Sequence, residues 1–481
     1  MTALDFYAIL PLIVLVAWAT VLIVVDLFIP QDRKNWTVLL AALGLLVTLV
    51  LLIVLSRRQY IAFNGMLVVD GFADFLSALF LGSGLVTIAL SHDYLKRMNI
   101  ERSEYYILMM FSISGMMLMA MTADLIVVFL ALELLSIPLY VLAGFARPRL
   151  DSEEAALKYF LLGAFAGGFG VYGVAMVFGA TGTTSLEQVV AAVKLGTANL
   201  SLLSVGAALI LIGLGFKVAA VPFHMWTPDV YQGSPSAVTA FMAVGAKAGG
   251  FAALLRIFVT AFPALGIDLT PILWALAALT MILGNVVAIA QSNIKRLLAY
   301  SSIAHAGYIL MAVVPYSNGG VAPDAVASAL FYLLAYAVTS FGAWAVVIAL
   351  ERVDYTGLAL DDYAGLGRKH PALAAAMAIF MLSFTGVPPT LGFVGKFYLF
   401  RTALQGGFVG LAIIGVLTSL ISAYYYLRVV VIMYMREGEP QIHSEPLLNL
   451  TAGATAIATV MLTFFSGPLF TWASQAVLKL F

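Results

Sequence analysis

The sequence predicts an all-α polytopic membrane protein of about fourteen transmembrane helices, and three observations carry that prediction. The composition is 63% hydrophobic and only 10% charged, with a mean hydropathy of +1.04, whereas soluble domains run at roughly half apolar and a quarter charged. Apolar runs long enough to cross a bilayer follow one another along all 481 residues, separated by short polar turns. Two of these runs are interrupted by proline beside a lysine, five runs apart. Paired broken helices in corresponding positions are the sequence mark of inverted repeats around a midplane ion site.

The composition also excludes several classes. A formal net charge of zero gives no basic surface for nucleic acid and no acidic tail. With no cysteine, the chain can form no disulfide and can ligate no iron–sulfur cluster through thiolates. The N-terminal stretch MTALDFYAILPLIVLV carries Asp5 and no basic residue, so it reads as a retained first span and not a signal peptide.

Taken in order, the runs place spans at 7–30, 36–55, 72–91, 105–121, 124–145, 156–180, 201–230, 235–261, 270–291, 296–315, 323–350, 371–402, 406–435 and 448–479. The turns around 121–124 and 291–296 are very short. No linker is long enough to set apart a soluble domain. The chain therefore divides within the membrane, into an N-terminal three-helix segment at 1–104, a first five-span repeat at 105–261 (spans 4–8), a second at 262–435 (spans 9–13) and a C-terminal span at 436–481. Loops on one side carry fourteen Lys and Arg, from Arg33 and Lys34 to Arg436; the other side has only Arg57, Arg58, Lys194 and Lys479. The positive-inside rule assigns the richer side to the cytoplasm and puts both termini outside.

Span seven holds GLGFKVAAVPFHMWTP, Gly213 to Pro228, and span twelve holds SFTGVPPTLGFVGKFYLF, Ser383 to Phe400. Pro222 and Pro228 lack backbone donors, which is expected to free the carbonyls of Val218 and His224. Four ionisable groups lie well inside apolar sequence: Glu133 in FLALELLSIPLYVL, Lys217 in the first broken span, Lys247 in AFMAVGAKAGGFAALL and Lys396 after the double proline. Each would cost about 3 kcal/mol if left bare at the bilayer centre. They must find partners or water. Structural ion pairs would satisfy that need, but four such groups on four spans, two of them broken, point to ion transfer. Glu133 and Lys217 are the obvious pair, since each precedes a proline by five residues. Moving the carboxylate would switch the lysine between holding and releasing its proton.

His224, just past Pro222, and His305, in LLAYSSIAHAGYIL, are further relay candidates. Packing histidines would look the same. Arg256, Arg401 and Arg428 lie toward span ends and are expected to snorkel. Glu154 and Lys158 are spaced for a solvated i,i+4 pair. GFGVYG, Gly168 to Gly173, matches a nucleotide-binding glycine pattern but follows no strand; inside a membrane helix it reads as a small-residue packing face.

The stretches GFKVAAVPFHMWTPDVYQGSP, AVGAKAGGFAALLR, YSSIAHAGYIL and GVPPTLGFVGKFYLF together resemble the proton-conducting membrane family shared by respiratory complex I and multisubunit cation/proton antiporters. The resemblance covers essentially the whole chain. It implies fourteen helices with inverted repeats at spans 4–8 and 9–13, and a chain of buried polar groups along the midplane. Carried over by position, Glu133 and Lys217 match the family's glutamate–lysine pair, Lys247 its connecting lysine, and Lys396 the terminal residue of the second half-channel. The chain is shorter than the largest antiporter-like subunit, and Lys396 stands where the middle one usually has glutamate. The resemblance further implies a bacterial inner membrane location with periplasmic termini and neighbouring antiporter-like subunits as partners. NADH, FMN, iron–sulfur clusters and quinone would then be held by other subunits, with no cofactor in this chain. An antiporter subunit without redox chemistry and a purely structural membrane spacer are the alternatives.

Overall fold

The computed structural model describes residues 3–30, 33–56, 59–260, 269–317 and 320–476. Arg57, Arg58 and Lys479 of the charge count, and the expected repeat boundary at 261–262, lie outside them.

Each expected span has a helical counterpart. The N-terminal segment holds α1 (Leu10–Asp26), α2 (Asn35–Leu55) and α3 (Gly71–Arg97). Then come α4 (Glu104–Met121), α5 (Leu125–Ala143), α6 (Leu150–Thr181), the broken pair α7 (Leu200–Val218) and α8 (Trp226–Gly233), and α9 (Ser236–Val259). They are followed by α10 (Thr270–Ile289), α11 (Ile294–Val313), α12 (Ala322–Leu350), the broken pair α13 (Pro371–Thr385) and α14 (Leu391–Gln405), and α15 (Val409–Met435). The last expected span is two helices, α16 (Pro446–Phe464) and α17 (Ser466–Gln475), parted at Phe465. Among the described residues, eleven helices are long and apolar enough to cross a membrane by length and composition. The other three expected spans are α1, α11 and the α13–α14 pair. A small antiparallel hairpin, β1 (Tyr60–Ala62) with β2 (Leu67–Val69), joins α2 to α3 and was not foreseen.

Two turns in the chain are built alike. Asp124 caps α5 by accepting from the Ile126 amide at 2.8 Å, and Asn293 caps α11 by accepting from the Lys295 amide at 2.9 Å. The Leu125 and Leu186 amides bond the Thr184 and Ala123 carbonyls at 2.9 and 3.0 Å, tying the α4–α5 turn to the chain beyond α6. The Ile294 and Leu360 amides bond the Leu358 and Ser292 carbonyls at 2.9 and 2.8 Å, tying the α10–α11 turn to the chain beyond α12. An arginine then closes each arrangement. Arg256 of α9 donates to the Ala120 carbonyl at 2.5 Å, and Arg428 of α15 donates to the Ile289 carbonyl at 3.0 Å and to that of Gln291.

Arg256 does not snorkel, which corrects the expectation for it, whereas Arg428 is half-buried. Arg256 is fully buried and grips Asp70, the N-cap of α3, through two bonds of 2.6 and 3.0 Å. A fixed carboxylate and helix-end carbonyls replace water for these guanidiniums. Lys295, counted above among the loop cations, is likewise fully buried.

Close crossings depend on glycine. A Cβ at Gly284 of α10 would lie 2.7 Å from the Ala304 amide of α11, and one at Gly173 of α6 would lie 2.7 Å from the Gly206 carbonyl of α7. The GFGVYG stretch is thus a packing face at Gly173.

Both broken helices stop by the same backbone device. The left-handed residue after α7 is Ala219 (φ 61°), with the Ala220 amide bonded back to Gly215 at 2.8 Å. After α13 it is Gly386 (φ 88°), with the Val387 amide bonded back to Leu382 at 3.0 Å. This six-to-one bond marks a Schellman ending. Pro222 and Pro389 each follow three residues later. Pro228 breaks nothing, contrary to expectation. It occupies the first turn of α8, where no amide partner is needed, and the His224 carbonyl accepts from Thr227 at 2.9 Å. Pro138 also fails to end its helix; α5 runs through it, and Ser112 of α4 donates to the nearby Leu135 carbonyl at 2.9 Å. Within α9, Met242–Ala246 forms a π-turn immediately before Lys247.

Candidate functional site: a buried row of lysines and hydroxyls

Glu133 sits half-buried on α5, and Ser136, one turn on, presents its hydroxyl on the same face. Lys217, in the last turn of α7, donates to Ser136 Oγ at 2.8 Å and to the Tyr159 hydroxyl of α6 at 3.1 Å. The Tyr159 ring is held in place by stacking on Trp226, with centroids 4.6 Å apart and planes 10° apart. Trp226 is pinned in turn through its indole N–H to the Phe216 carbonyl at 2.9 Å. The α8 side of the break therefore fixes the tyrosine that receives the lysine. Glu133 lies within electrostatic reach of Lys217. Among the described residues no ion pair within 4.0 Å joins them, and Ser136 stands where direct contact was expected. The stem of Lys217 passes over Gly250 of α9, where a Cβ would lie 3.2 Å from its Cγ.

Lys247 lies one turn before Gly250 on the same helix. Its ammonium donates to the Ser302 carbonyl at 2.6 Å and to Ser302 Oγ at 2.9 Å. Ser302 belongs to α11, so this lysine ties α9 to α11. One turn further along α11, His305 Nδ1 lies 2.5 Å from the Tyr332 hydroxyl and Nε2 lies 3.1 Å from the Tyr426 hydroxyl. Tyr426 is also bonded to Ser301. Lys396 on α14 reaches back across its break to the Thr385 carbonyl at 2.9 Å and to Ser419 Oγ of α15 at 2.7 Å. Its ammonium stands 4.7 Å from the centroid of the Tyr308 ring. The Tyr308 hydroxyl joins Asn285 at 3.2 Å, and Asn285 accepts from Tyr425 at 2.9 Å.

Five of the six candidate residues thus lie along one row, and His224 does not. It is half-buried in the segment between α7 and α8 and is a partner of none of the four charged groups. The freed helix-end carbonyl serves Lys396 but not Lys217, whose bonds go sideways to hydroxyls. Those hydroxyls escaped the sequence analysis. The signal was present on α11, where Ser301, Ser302, His305 and Tyr308 recur at helical spacing in an apolar stretch. Ser136 could have been found as the polar residue one turn from Glu133. Among the described residues no cluster of three or more His, Asp or Glu side chains is placed to hold a metal ion.

Fold and site together define a class: polytopic helical membrane proteins with broken helices and buried lysines and hydroxyls in the bundle interior. Residues 122–422 match the sequence pattern described as NADH:quinone oxidoreductase/Mrp antiporter, TM. The chain is 48% identical over 482 residues to NADH-quinone oxidoreductase subunit N of Chloroflexus aggregans, covering 99% of this chain and 98% of that one. It is 45% identical over 459 residues to the protein of the same name from Trichlorobacter lovleyi, covering 95% and 92%. Among solved structures, it superposes with a TM-score of 0.82 on a chain of respiratory complex I from Thermus thermophilus. That match has 36% identity and covers 96% of this chain and 99% of that one. The fold also matches a chain of the Mrp complex from Dietzia sp. DQ12-45-1b, with a TM-score of 0.85 at 21% identity, covering 99% and 97%. The chain belongs to the NADH:quinone oxidoreductase/Mrp antiporter membrane family.

Proposed function

We propose that this chain acts as subunit N of a bacterial NADH–quinone oxidoreductase and translocates protons through the row of buried side chains. The observation that carries the proposal is how the three lysines are held. Lys217, Lys247 and Lys396 are each about 3% exposed, and each ammonium is bonded to hydroxyl or carbonyl oxygens. Among the described residues none is in a direct ion pair. An amine gripped by serine or tyrosine hydroxyls keeps hydrogen bonds in either protonation state, because a hydroxyl accepts from an ammonium and donates to an amine. A lysine locked to a carboxylate would strand an anion on losing its proton. The first arrangement suits a relay, the second a structural clasp.

The proposed row runs from Glu133 and Lys217 through Lys247 to His305 and Lys396. Lys247 is the joint between two half-channels at 105–261 and 262–435, a division supported by the matched turns, arginines and helix endings. NADH oxidation, FMN, the iron–sulfur clusters and quinone reduction belong to partner subunits. Transfer is coupled to them by a change that favours one arrangement of the row over another. The membrane is the bacterial inner membrane, with the loop from Glu351 to His370 cytoplasmic and both termini periplasmic. Isolation of the intact complex tests the assignment. Recovery of flavin- and cluster-bearing partners with NADH-driven proton transport is expected. Recovery of a cation/proton antiporter assembly without redox subunits would overturn it.

A further inference from the structure

Away from the row, a second group of buried polar atoms lies at the bundle face formed by the end of α12, the start of α11 and the end of α8. Glu351 caps α12 and is fully buried, and among the described residues neither of its carboxylate oxygens has a partner at ordinary hydrogen-bond distance, although the Tyr94 hydroxyl faces it. Lys295, Tyr94 and Tyr363 lie within its electrostatic reach. Lys295 donates to the Ser234 carbonyl at 2.6 Å, and the Tyr94 hydroxyl accepts from the Ser236 amide at 3.1 Å. Among the described residues the hydroxyls of Ser234, Ser236, Tyr363 and Tyr231 are likewise buried without a partner at ordinary hydrogen-bond distance.

Buried polar atoms are satisfied by ordered water when protein groups do not serve them. These atoms are not scattered. Ser234 and Tyr231 are three residues apart at the end of α8, and the Tyr231 hydroxyl faces Ser302, the residue that receives Lys247. Lys295 and Ser302 are seven residues apart on one face of α11, about 10.5 Å along the axis. The unpartnered oxygens therefore begin at Glu351 and lead toward the seam between the two halves.

We infer that Glu351 is the proton-collecting residue of a water-lined entrance that follows the Lys295–Ser302 face of α11 to Lys247. The proton passes from water at the cytoplasmic face to the Glu351 carboxylate, then through water beside Tyr231 and Ser302 to the Lys247 amine. No electron moves. Lys295 lies within electrostatic reach of the carboxylate when its proton has left. This inference rests on the proton-transfer function proposed above and adds where the row is filled.

The test uses the intact complex in proteoliposomes, scoring complex content, NADH-driven proton transport, and recovery of transport by a small weak acid such as formate or azide. Glu351→Gln should keep complex content, lose on the order of tenfold in transport, and regain it with the weak acid, which carries protons to the same waters. Glu351→Asp should retain most of the transport. A clasp holding α12 to α11 would give no chemical rescue. Normal transport in Glu351→Gln, with transport lost in Lys247→Ala, would overturn the entrance and leave the proposed function standing. Normal transport in both would overturn the function itself. If Glu351→Gln does not assemble, Tyr231→Phe decides, since it removes a single oxygen. Slower transport restored by formate supports the entrance, and unchanged transport overturns it.

Discussion

At the break after α7 the left-handed residue is an alanine, and the lysine stands two residues before it. At the break after α13 it is a glycine, and the lysine stands ten residues beyond. The backbone device is shared while the charge is placed separately. Lys217 is fixed in the last turn of an intact helix and reaches sideways to α5 and α6, so it senses how those helices sit. Lys396 bridges its own break, so it senses how far α13 and α14 stand apart. The arginine closures differ in the same spirit. Arg256 has a carboxylate beneath it, and Arg428 has carbonyls. The two breaks are thus built alike while their lysines hold different helices.

The largest effect is expected where the halves meet. Lys247→Ala removes the only described lysine of the row that bonds across the seam, and NADH-driven proton transport should fall by tenfold or more at unchanged complex content. A parallel fall in content would mean that the residue serves as glue. Next comes the arginine comparison, read as thermal inactivation of the detergent-solubilised complex. Asp70→Ala strands a buried guanidinium and should cost about 3–5 kcal/mol. Arg428→Met loses charge-assisted bonds to carbonyls and should cost about 1.5–3 kcal/mol. Equal losses would show that the carboxylate adds nothing.

A smaller effect is expected from double-mutant cycles around Lys217. Because Ser136 and not Glu133 touches the ammonium, the Ser136→Ala with Lys217→Met cycle should give a coupling of about 1–3 kcal/mol in stability. The Glu133→Gln with Lys217→Met cycle should give less, well under the 3–5 kcal/mol typical of a direct buried pair. The reverse order would restore Glu133 as the contact partner. Smallest is the exchange of residues at the two breaks. Gly386→Ala forces an L side chain into the left-handed region and brings its Cβ to 2.9 Å from Lys396 Cδ, a cost of about 1–2 kcal/mol. Ala219→Gly relieves that same conformation while loosening the unfolded chain, so its change in stability should be near zero, within about 1 kcal/mol, read as a nearly unchanged melting temperature.

The spans were legible because lipid demands long apolar runs, and every run has its helix. The places where the broken helices stop were not. Proline marks the neighbourhood, but the endpoint is set by the left-handed residues Ala219 and Gly386, and Pro228 proved to begin a helix. Glu133, Lys217, Lys247 and Lys396 stood out because charge is rare in such sequence. Their actual partners did not stand out, since serine and tyrosine are ordinary in membrane helices. Arg256 and Lys295 were misjudged for a different reason. Asp70 is 186 residues from Arg256, and Ser234 is 61 residues from Lys295. A position near the end of a run says nothing about what the neighbouring spans bring to it.

The π-turn at Met242–Ala246 gives α9 one residue more than a regular helix of its length would hold. Such a surplus is a dislocation in the row. Shifting it past Lys247 would rotate that residue by about 100° and advance it by about 1.5 Å, without melting the helix at either side. Gly245, Gly249 and Gly250 flank the lysine, so little side-chain bulk opposes the turn. One such step would carry the ammonium off Ser302. The spare residue makes α9 a screw with one thread to turn, set where its lysine is bonded to α11.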